Sequence, residues 1–146
     1  MDETQVSTGA GGMAALMRRG ELFSAACPSR EVLQHVTSRW GVLLLVALMA
    51  GPHRFSDLRR KVGGVSEKML AQTLRWLEAD GFVLRQVHAT VPPQVEYSLT
   101  PLGQEVGQRV EALADWIECA MPDIMASRNA REAVQTREPV GVHRIR

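Results

Sequence analysis

The fold of this chain is decided by residues 51–100, which read GPHRFSDLRRKVGGVSEKMLAQTLRWLEADGFVLRQVHATVPPQVEYSLT. A short helix is predicted from about Phe55 to the glycine pair at 63–64, and a second helix follows it. Ser66 is suited to cap the second helix, because its hydroxyl accepts a hydrogen bond from a free backbone N–H of the first turn. Gly81 is suited to the left-handed conformation that ends a helix. The stretch therefore predicts two helices joined by a short glycine turn.

A β-hairpin is predicted directly after the second helix. Residues 82–88 are rich in β-forming side chains, and residues 95–99 alternate apolar with polar side chains, which is the period of a half-buried strand. Pro92 and Pro93 fall between the two runs, and proline belongs in a turn because it cannot donate to a β-ladder. A helix-turn-helix followed by such a hairpin, or wing, is a unit that places one helix in a DNA groove.

Helices are predicted on both sides of this unit. The nine apolar residues 42–50 are too few for a membrane span of about 20, so they indicate a buried helix over about 39–49, preceded by one over about 29–37. A long helix begins at Thr100 and Pro101, with Thr100 as its cap, and carries an apolar stripe that continues to Met121. Pro122 is expected to kink or end it.

The predicted fold is mainly α with a small β-hairpin wing (α+β), which is a winged helix-turn-helix. Residues 1–23 are expected to form a flexible N-terminal arm and residues 127–146 a polar tail. Residues 24–126 are expected to form the winged helix-turn-helix domain together with the long C-terminal helix. The whole is about one domain in size.

Composition excludes several classes of protein without choosing one. Of 146 residues, 45% are hydrophobic and 23% charged, and the formal net charge is +1, which is typical of a globular protein. The start lacks the basic and apolar regions of a signal peptide. Two cysteines are too few for a disulfide framework, so we expect a cytoplasmic protein with reduced thiols. The histidines lack metal-ligand spacing, and no cofactor, membrane or enzyme is expected.

The second helix of the pair has a polar side that is chemically suited to DNA. Leu70, Leu74 and Leu77 share one side of a helical wheel, and the opposite side carries Lys68, Gln72 and Arg75, with Ala71 beside them and Ser66 at the start of the helix. Arg can pair with a guanine edge, Gln with an adenine edge, and Lys with either guanine or phosphate. Exposed Lys, Gln and Arg are also common on any helix surface, so the wheel alone leaves both readings open.

Further basic and polar residues are candidates for contact with the DNA backbone. Residues 54–61 carry four basic side chains and one acidic one, a local charge of +3. The predicted phosphate contacts are Arg54, Arg59 and Arg60, and the predicted wing contacts, to minor groove or phosphate, are Arg85, His88 and Gln94. A charge run is usually only a solvated surface, so these candidates depend on the fold around them.

The residues that carry a family resemblance are Cys27-Pro28, Arg39-Trp40, GPHRFSDLRR at 51–60, LRWLEADG at 74–81 and VPPQVEYSLT at 91–100. Over about residues 24–121 the chain resembles the HxlR-type family of bacterial winged helix-turn-helix transcriptional regulators, which is related to the MarR group. The resemblance implies a homodimer formed through N- and C-terminal dimerisation helices, double-stranded operator DNA of pseudo-palindromic sequence as partner, and action near promoters by occlusion or activation. Of these two actions, repression is the one expected here. His88 and Gln94 depart from the aromatic and basic residues frequent in that family, which indicates a weaker wing.

The long helix is the expected site of dimerisation. One recognition helix reads only a few base pairs, so useful specificity requires two half-sites about 34 Å apart. The candidate dimerisation residues are Val106, Val110, Leu113, Trp116 and Ile117. The alternative is that this stripe packs entirely inside one chain.

Cys27 is the candidate redox-sensing residue. It precedes a helix whose dipole favours the thiolate, and the family resemblance implies that an oxidant or small-molecule effector acts at such a position. The alternative is a small apolar residue in an interface. Two rival functions remain: a winged-helix module that binds proteins without DNA, and a thiol enzyme, which would lack a base because His35 is expected on the outer part of its helix.

Overall fold

The structure, a computed structural model, describes residues 22–137. Its helices and strands within that range are α1 (Pro28–Thr37), α2 (Arg39–Met49), β1 (His53–Arg54), α3 (Phe55–Lys61), α4 (Glu67–Ala79), β2 (Val83–His88), β3 (Gln94–Leu99) and α5 (Pro101–Arg137). These elements confirm the predicted winged helix-turn-helix: α3 and α4 are the helical pair, and β2 and β3 are the wing. The chain divides into two compact units, one ending at Val110 and the other beginning at Glu111.

The core of the first unit is made of leucines from three helices. Fully buried side chains come from α2 (Leu44, Leu45, Leu48), α3 (Leu58) and α4 (Leu70, Leu74, Leu77). The predicted inward side of α4 is therefore confirmed, and each of its leucines contributes about 1.5–3 kcal/mol by leaving water. Thr73 lies on the same side and is also buried. Its hydroxyl donates to the Met69 carbonyl at 2.7 Å, so the polar atom is satisfied inside the core.

The sheet has three antiparallel strands in the order β1-β3-β2. In the wing, Val83 pairs with Leu99 and His88 with Gln94. The strand β1 is absent from the sequence prediction, because two residues are too few to show a period. It pairs His53 with Tyr97 and leads directly into α3, so it ties the start of the helix-turn-helix to the wing.

Caps fix the ends of α4 and the start of α5 where the sequence places them. Ser66 Oγ accepts from the Met69 N–H at 3.1 Å, and Gly81 has the positive φ of +84° that the end of α4 requires. Thr100 Oγ1 accepts from the Gly103 N–H at 2.9 Å and donates to the Gly81 carbonyl at 2.6 Å. One hydroxyl thus joins the end of α4 to the start of α5.

Of the two outcomes expected at Pro122, a kink or an end of the long helix, the end is wrong, because α5 continues to Arg137. Residues 127–137, the start of the expected polar tail, are helical and exposed. A proline removes one intrahelical hydrogen bond and costs about 3 kcal/mol, and residues 123–137 include three Ala and three Arg, which favour the helix. The predicted N-terminal arm, apart from residues 22 and 23, and the last nine residues of the tail lie outside the described residues.

Gly103 offers a direct test of how α5 meets the sheet. A Cβ at this position would lie 1.9 Å from the carbonyl oxygen of Phe82, which also accepts from the Thr100 N–H at 3.0 Å. Since backbone cannot move aside as a side chain can, we predict that Gly103→Ala lowers the free energy of unfolding by about 2–3 kcal/mol. Urea denaturation followed by circular dichroism measures the change.

Gly63→Ala is the matched control for that substitution. No atom lies within 4 Å of a Cβ built at Gly63, and its φ is not positive. Its unfolding free energy should stay within about 1 kcal/mol of that of the unsubstituted chain. Equal losses in the two variants would contradict the close approach at Gly103.

Candidate nucleic-acid interface

The polar side of α4 is presented outward, opposite the buried leucines. Ser66, Lys68 and Arg75 are exposed, and Ala71 and Gln72 are half-buried. The Nη2 of Arg75 donates to Oε1 of Gln72 at 3.1 Å. That bond orients the Gln72 amide, whose NH₂ group is left to donate elsewhere. These five residues are called the reading face below.

The arginines of α3 are engaged by carboxylates of the chain itself. Nη1 of Arg59 lies 2.6 Å from Oε1 of Glu67, the first residue of α4, and both side chains are largely exposed. Arg60 forms an ion pair with Asp57 one turn away, and its hydrogen bond is the main reason why the pKa of Asp57 is lowered. Arg54 is exposed at the N-cap position of α3. Two of the three predicted phosphate contacts therefore have acidic partners within the chain.

The wing is only weakly basic. Arg85 is exposed in the middle of β2, opposite Tyr97 of β3. His88 and Gln94 face each other at the end of the ladder, and Nε2 of His88 lies 3.6 Å from a carboxylate oxygen of Glu96. The carboxylate offsets a charge on His88, so the cationic part of the wing is Arg85.

A groove of about 390 Å³ lies between α4 and the sheet. Its lining residues are Ala71, Leu74, Arg75, Glu78, Arg85 and Tyr97. Leu74 and Tyr97 are buried and form its floor, while the charged residues are exposed. The structure thus brings together Arg75 and Arg85, which the sequence assigns to two separate elements, and this set is called the arginine groove below.

The prediction that His35 lies on the outer part of α1 is wrong. Its Nδ1 lies 2.6 Å from Oδ2 of Asp80, and each side chain is only 14% exposed. Its ring stacks on Trp76, with centroids 5.1 Å apart and planes 7° apart. The cluster fastens the end of α1 to the end of α4. A signal was present in the sequence, because His35 follows the apolar Val32 by three positions, which places both on one side of the helix.

Cys27 occupies the N-cap position of α1, as the sequence predicts. It is half-buried, and its Sγ lies 2.9 Å from the hydroxyl oxygen of Ser29. His35, at the other end of the helix, is engaged with Asp80 and so does not act as a base for this thiol. Cys119 is exposed on α5.

The predicted dimerisation residues fall into two groups. Val110 is 6% exposed and belongs to the core of the first unit, and Val106 packs against that core. Val110 therefore has little surface to offer a second copy, and its part in a dimer contact stays a prediction. In the second unit, Leu113, Trp116 and Ile117 are 51%, 64% and 40% exposed.

Neither a metal cluster nor a single membrane-spanning helix occurs within residues 22–137. No group of three or more His, Cys, Asp or Glu side chains in that range could hold a metal ion. In the same range, no one helix has both the length and the apolar character needed to cross a membrane. Only α1 and α2 taken together meet those conditions, and they are bent by 69° at their junction.

Together, a helix held by its leucines, a short turn and a flanking wing define a helix-turn-helix of the DNA-binding class. Residues 35–125 match the HxlR-like helix-turn-helix family, and the chain belongs to that family. It is accordingly a transcriptional regulator with a DNA-binding helix-turn-helix, and not an enzyme.

Three related proteins illustrate the match. Over 117 residues the chain is 65% identical to the uncharacterized HTH-type transcriptional regulator YtfH of Escherichia coli K12, covering 80% of this chain and 93% of the relative. It is 68% identical to the solved structure of the putative transcriptional regulator YtfH from Salmonella typhimurium, with a TM-score of 0.70 and coverage of 74% and 96%. It is also 38% identical to the redox regulator HypR in its oxidized form, with a TM-score of 0.59 and coverage of 64% and 96%.

Proposed function

We propose that the chain is a homodimeric cytoplasmic repressor that binds a pseudo-palindromic operator with one α4 helix in each half-site. The observation that carries the proposal is the reading face, which is presented outward on a helix anchored from behind by four buried side chains. A rigid amphipathic helix with outward donors is what major-groove recognition requires.

The N-terminal part of α4 is proposed to read bases. In helix-turn-helix proteins the N-terminal residues of the recognition helix reach the base edges, and here these include Ser66, Lys68 and Gln72. The amide of Gln72 suits adenine and the ammonium of Lys68 suits guanine or phosphate, while small Ala71 allows close approach. Arg54, Arg59 and Arg60 are proposed to position the protein on the backbone, with His88 and Gln94 as minor contacts at the end of the wing.

Dimerisation is proposed to use the exposed side of α5 in the second unit. Leu113, Trp116 and Ile117 follow one another at spacings of three and one, and residues 113 and 117 share a helix side. A protein interaction module without DNA is the alternative function, and the DNA-binding experiment decides between the two.

A Gln72→Ala variant tests the proposed function. Fluorescence anisotropy should show that the unsubstituted chain binds duplex from its own upstream region, with affinity that falls steeply as salt rises. Loss of one bidentate base contact should weaken operator binding by about 1–3 kcal/mol and leave binding to unrelated duplex unchanged. Gln108→Ala, at an exposed glutamine of α5, is the matched control. Absence of salt-dependent binding by the unsubstituted chain would favour the protein interaction module.

A Trp116→Glu variant tests the dimer. A tryptophan at the centre of an interface is worth about 2 kcal/mol or more, and a buried carboxylate adds a desolvation cost. Sedimentation should therefore show a dimer for the unsubstituted chain and a monomer for the variant at micromolar concentration. Gln108→Glu introduces the same charge at an exposed polar position and should remain dimeric. A monomeric unsubstituted chain would exclude the dimer.

Cys27 is proposed to sense oxidants, and the similarity of the chain to HypR, a redox regulator, supports the idea. The position of Cys27 before a helix favours a reactive thiolate. Treatment with diamide should change operator affinity of the unsubstituted chain and of Cys119→Ser, but not of Cys27→Ser. A response that survives Cys27→Ser would assign sensing elsewhere.

A further inference from the structure

The basic residues near α4 differ in whether they have an acidic partner. Within residues 22–137, the ion pairs closer than 4.0 Å engage Arg59 and Arg60 with carboxylates, but engage neither Arg75 nor Arg85. The guanidinium of Arg75 donates instead to the neutral amide oxygen of Gln72. Arg75 and Arg85, which have no ion pair within that range, both line the arginine groove.

We propose that the arginine groove binds one phosphate group, held jointly by Arg75 from α4 and Arg85 from β2. The inference rests on the proposed function and deepens it, since the phosphate is that of a DNA strand passing between the recognition helix and the wing. Arg75 then positions the protein on the backbone and does not read a base.

The place of Arg75 along α4 supports this role. It is the ninth of the thirteen residues of the helix, beyond the N-terminal part that enters the major groove in helix-turn-helix proteins. It lines the cleft between α4 and the sheet. A phosphate of the DNA backbone can enter this cleft more easily than a base edge, which lies deep in the major groove of DNA. A guanidinium offers several N–H donors in a plane, which match the oxygens of a phosphate.

The surroundings of the groove favour a strong contact. Its floor is formed by the buried Leu74 and Tyr97. The backbone of Arg85 lies in a regular ladder, opposite Tyr97, and the backbone of Arg75 belongs to the helix that Leu74 anchors. Because both backbones are already ordered, binding has to order only the two exposed side chains.

Glu78 is the one acidic residue that lines the groove. Its substitution tests the proposal, because a bound phosphate predicts that affinity for DNA rises when this carboxylate is removed. A carboxylate next to a bound phosphate repels it, so its removal should strengthen binding. If the groove had no anionic ligand, Glu78 would be an ordinary exposed side chain whose neutralisation changes little. The matched control is Glu31→Gln, which removes an exposed carboxylate from the first turn of α1.

The experiment measures affinity against salt concentration for Arg75→Ala, Arg85→Ala and the double variant, on operator and on unrelated duplex. One phosphate contact contributes about 0.9 to the slope of log affinity against log salt. Because the proposed dimer has two such grooves, one shared phosphate in each predicts a decrease of about 1.8 for the double variant and smaller decreases for each single variant, equal on both duplexes. Glu78→Gln should bind both duplexes more tightly by about two- to fivefold for each half-site, as expected for one exposed charge pair in each groove.

Several outcomes would overturn the inference while leaving the proposed function intact. These are a loss of operator discrimination in Arg75→Ala with an unchanged salt slope, a double-variant decrease of about 3.6 as for two separate phosphates in each half of the dimer, or no gain in Glu78→Gln over Glu31→Gln. If the unsubstituted chain bound no duplex, the proposed function itself would fail.

A second arm distinguishes the source of the phosphate. Sodium phosphate and sodium chloride are compared as competitors of DNA at equal ionic strength. Stronger displacement by phosphate that disappears in Arg85→Ala means that the groove also takes the free ion. Equal displacement by the two salts, together with the slope changes above, restricts it to the phosphate of the DNA backbone.

Discussion

The burial of one side of α4 is the constraint on which the rest of the structure depends. Leu70, Thr73, Leu74 and Leu77 are nearly inaccessible to water, and their spacing leaves only the opposite side of the helix for polar residues. Rotation of α4 by one residue would expose leucines and bury charge, at a cost of several kcal/mol. The reading face is therefore set by packing behind it, before any ligand is present.

The end of α4 is held by contacts of a different kind. Asp80 pairs with His35, whose ring stacks on Trp76, and Thr100 bonds the carbonyl of Gly81. Packing of leucines fixes how the helix is rotated, whereas these polar and aromatic contacts fix where it ends. Because they also reach α1 and the start of α5, displacement of either helix would act on α4 at this point, near Arg75 and Glu78 of the arginine groove.

Most of the fold was predictable from the sequence because its signals are local. The inward side of α4, the caps at Ser66 and Thr100, and the two strands of the wing follow from spacing and turn chemistry within a few residues. What was missed depends on partners distant in sequence or on features too short to show a period. His35 meets Asp80 45 positions later, and β1 has two residues. At the candidate interface, the basic residues could be identified from the sequence. Which of them form ion pairs with acidic residues could not, because those pairs depend on the folded structure.

That difference in pairing has a physical consequence for DNA recognition. A DNA phosphate that engages Arg59 or Arg60 must compete with Glu67 or Asp57, so part of the attraction is offset by the loss of an existing ion pair. Arg75 and Arg85 carry no such cost, although Glu78 lies in the same groove. The chain is close to neutral overall, so its attraction for DNA depends on the arrangement of a few charges. The proposed arginine groove therefore offers an anion contact for which no ion pair within residues 22–137 has to be broken. Arg59 and Arg60 of α3 must each give one up, although the sequence shows its densest run of basic residues there.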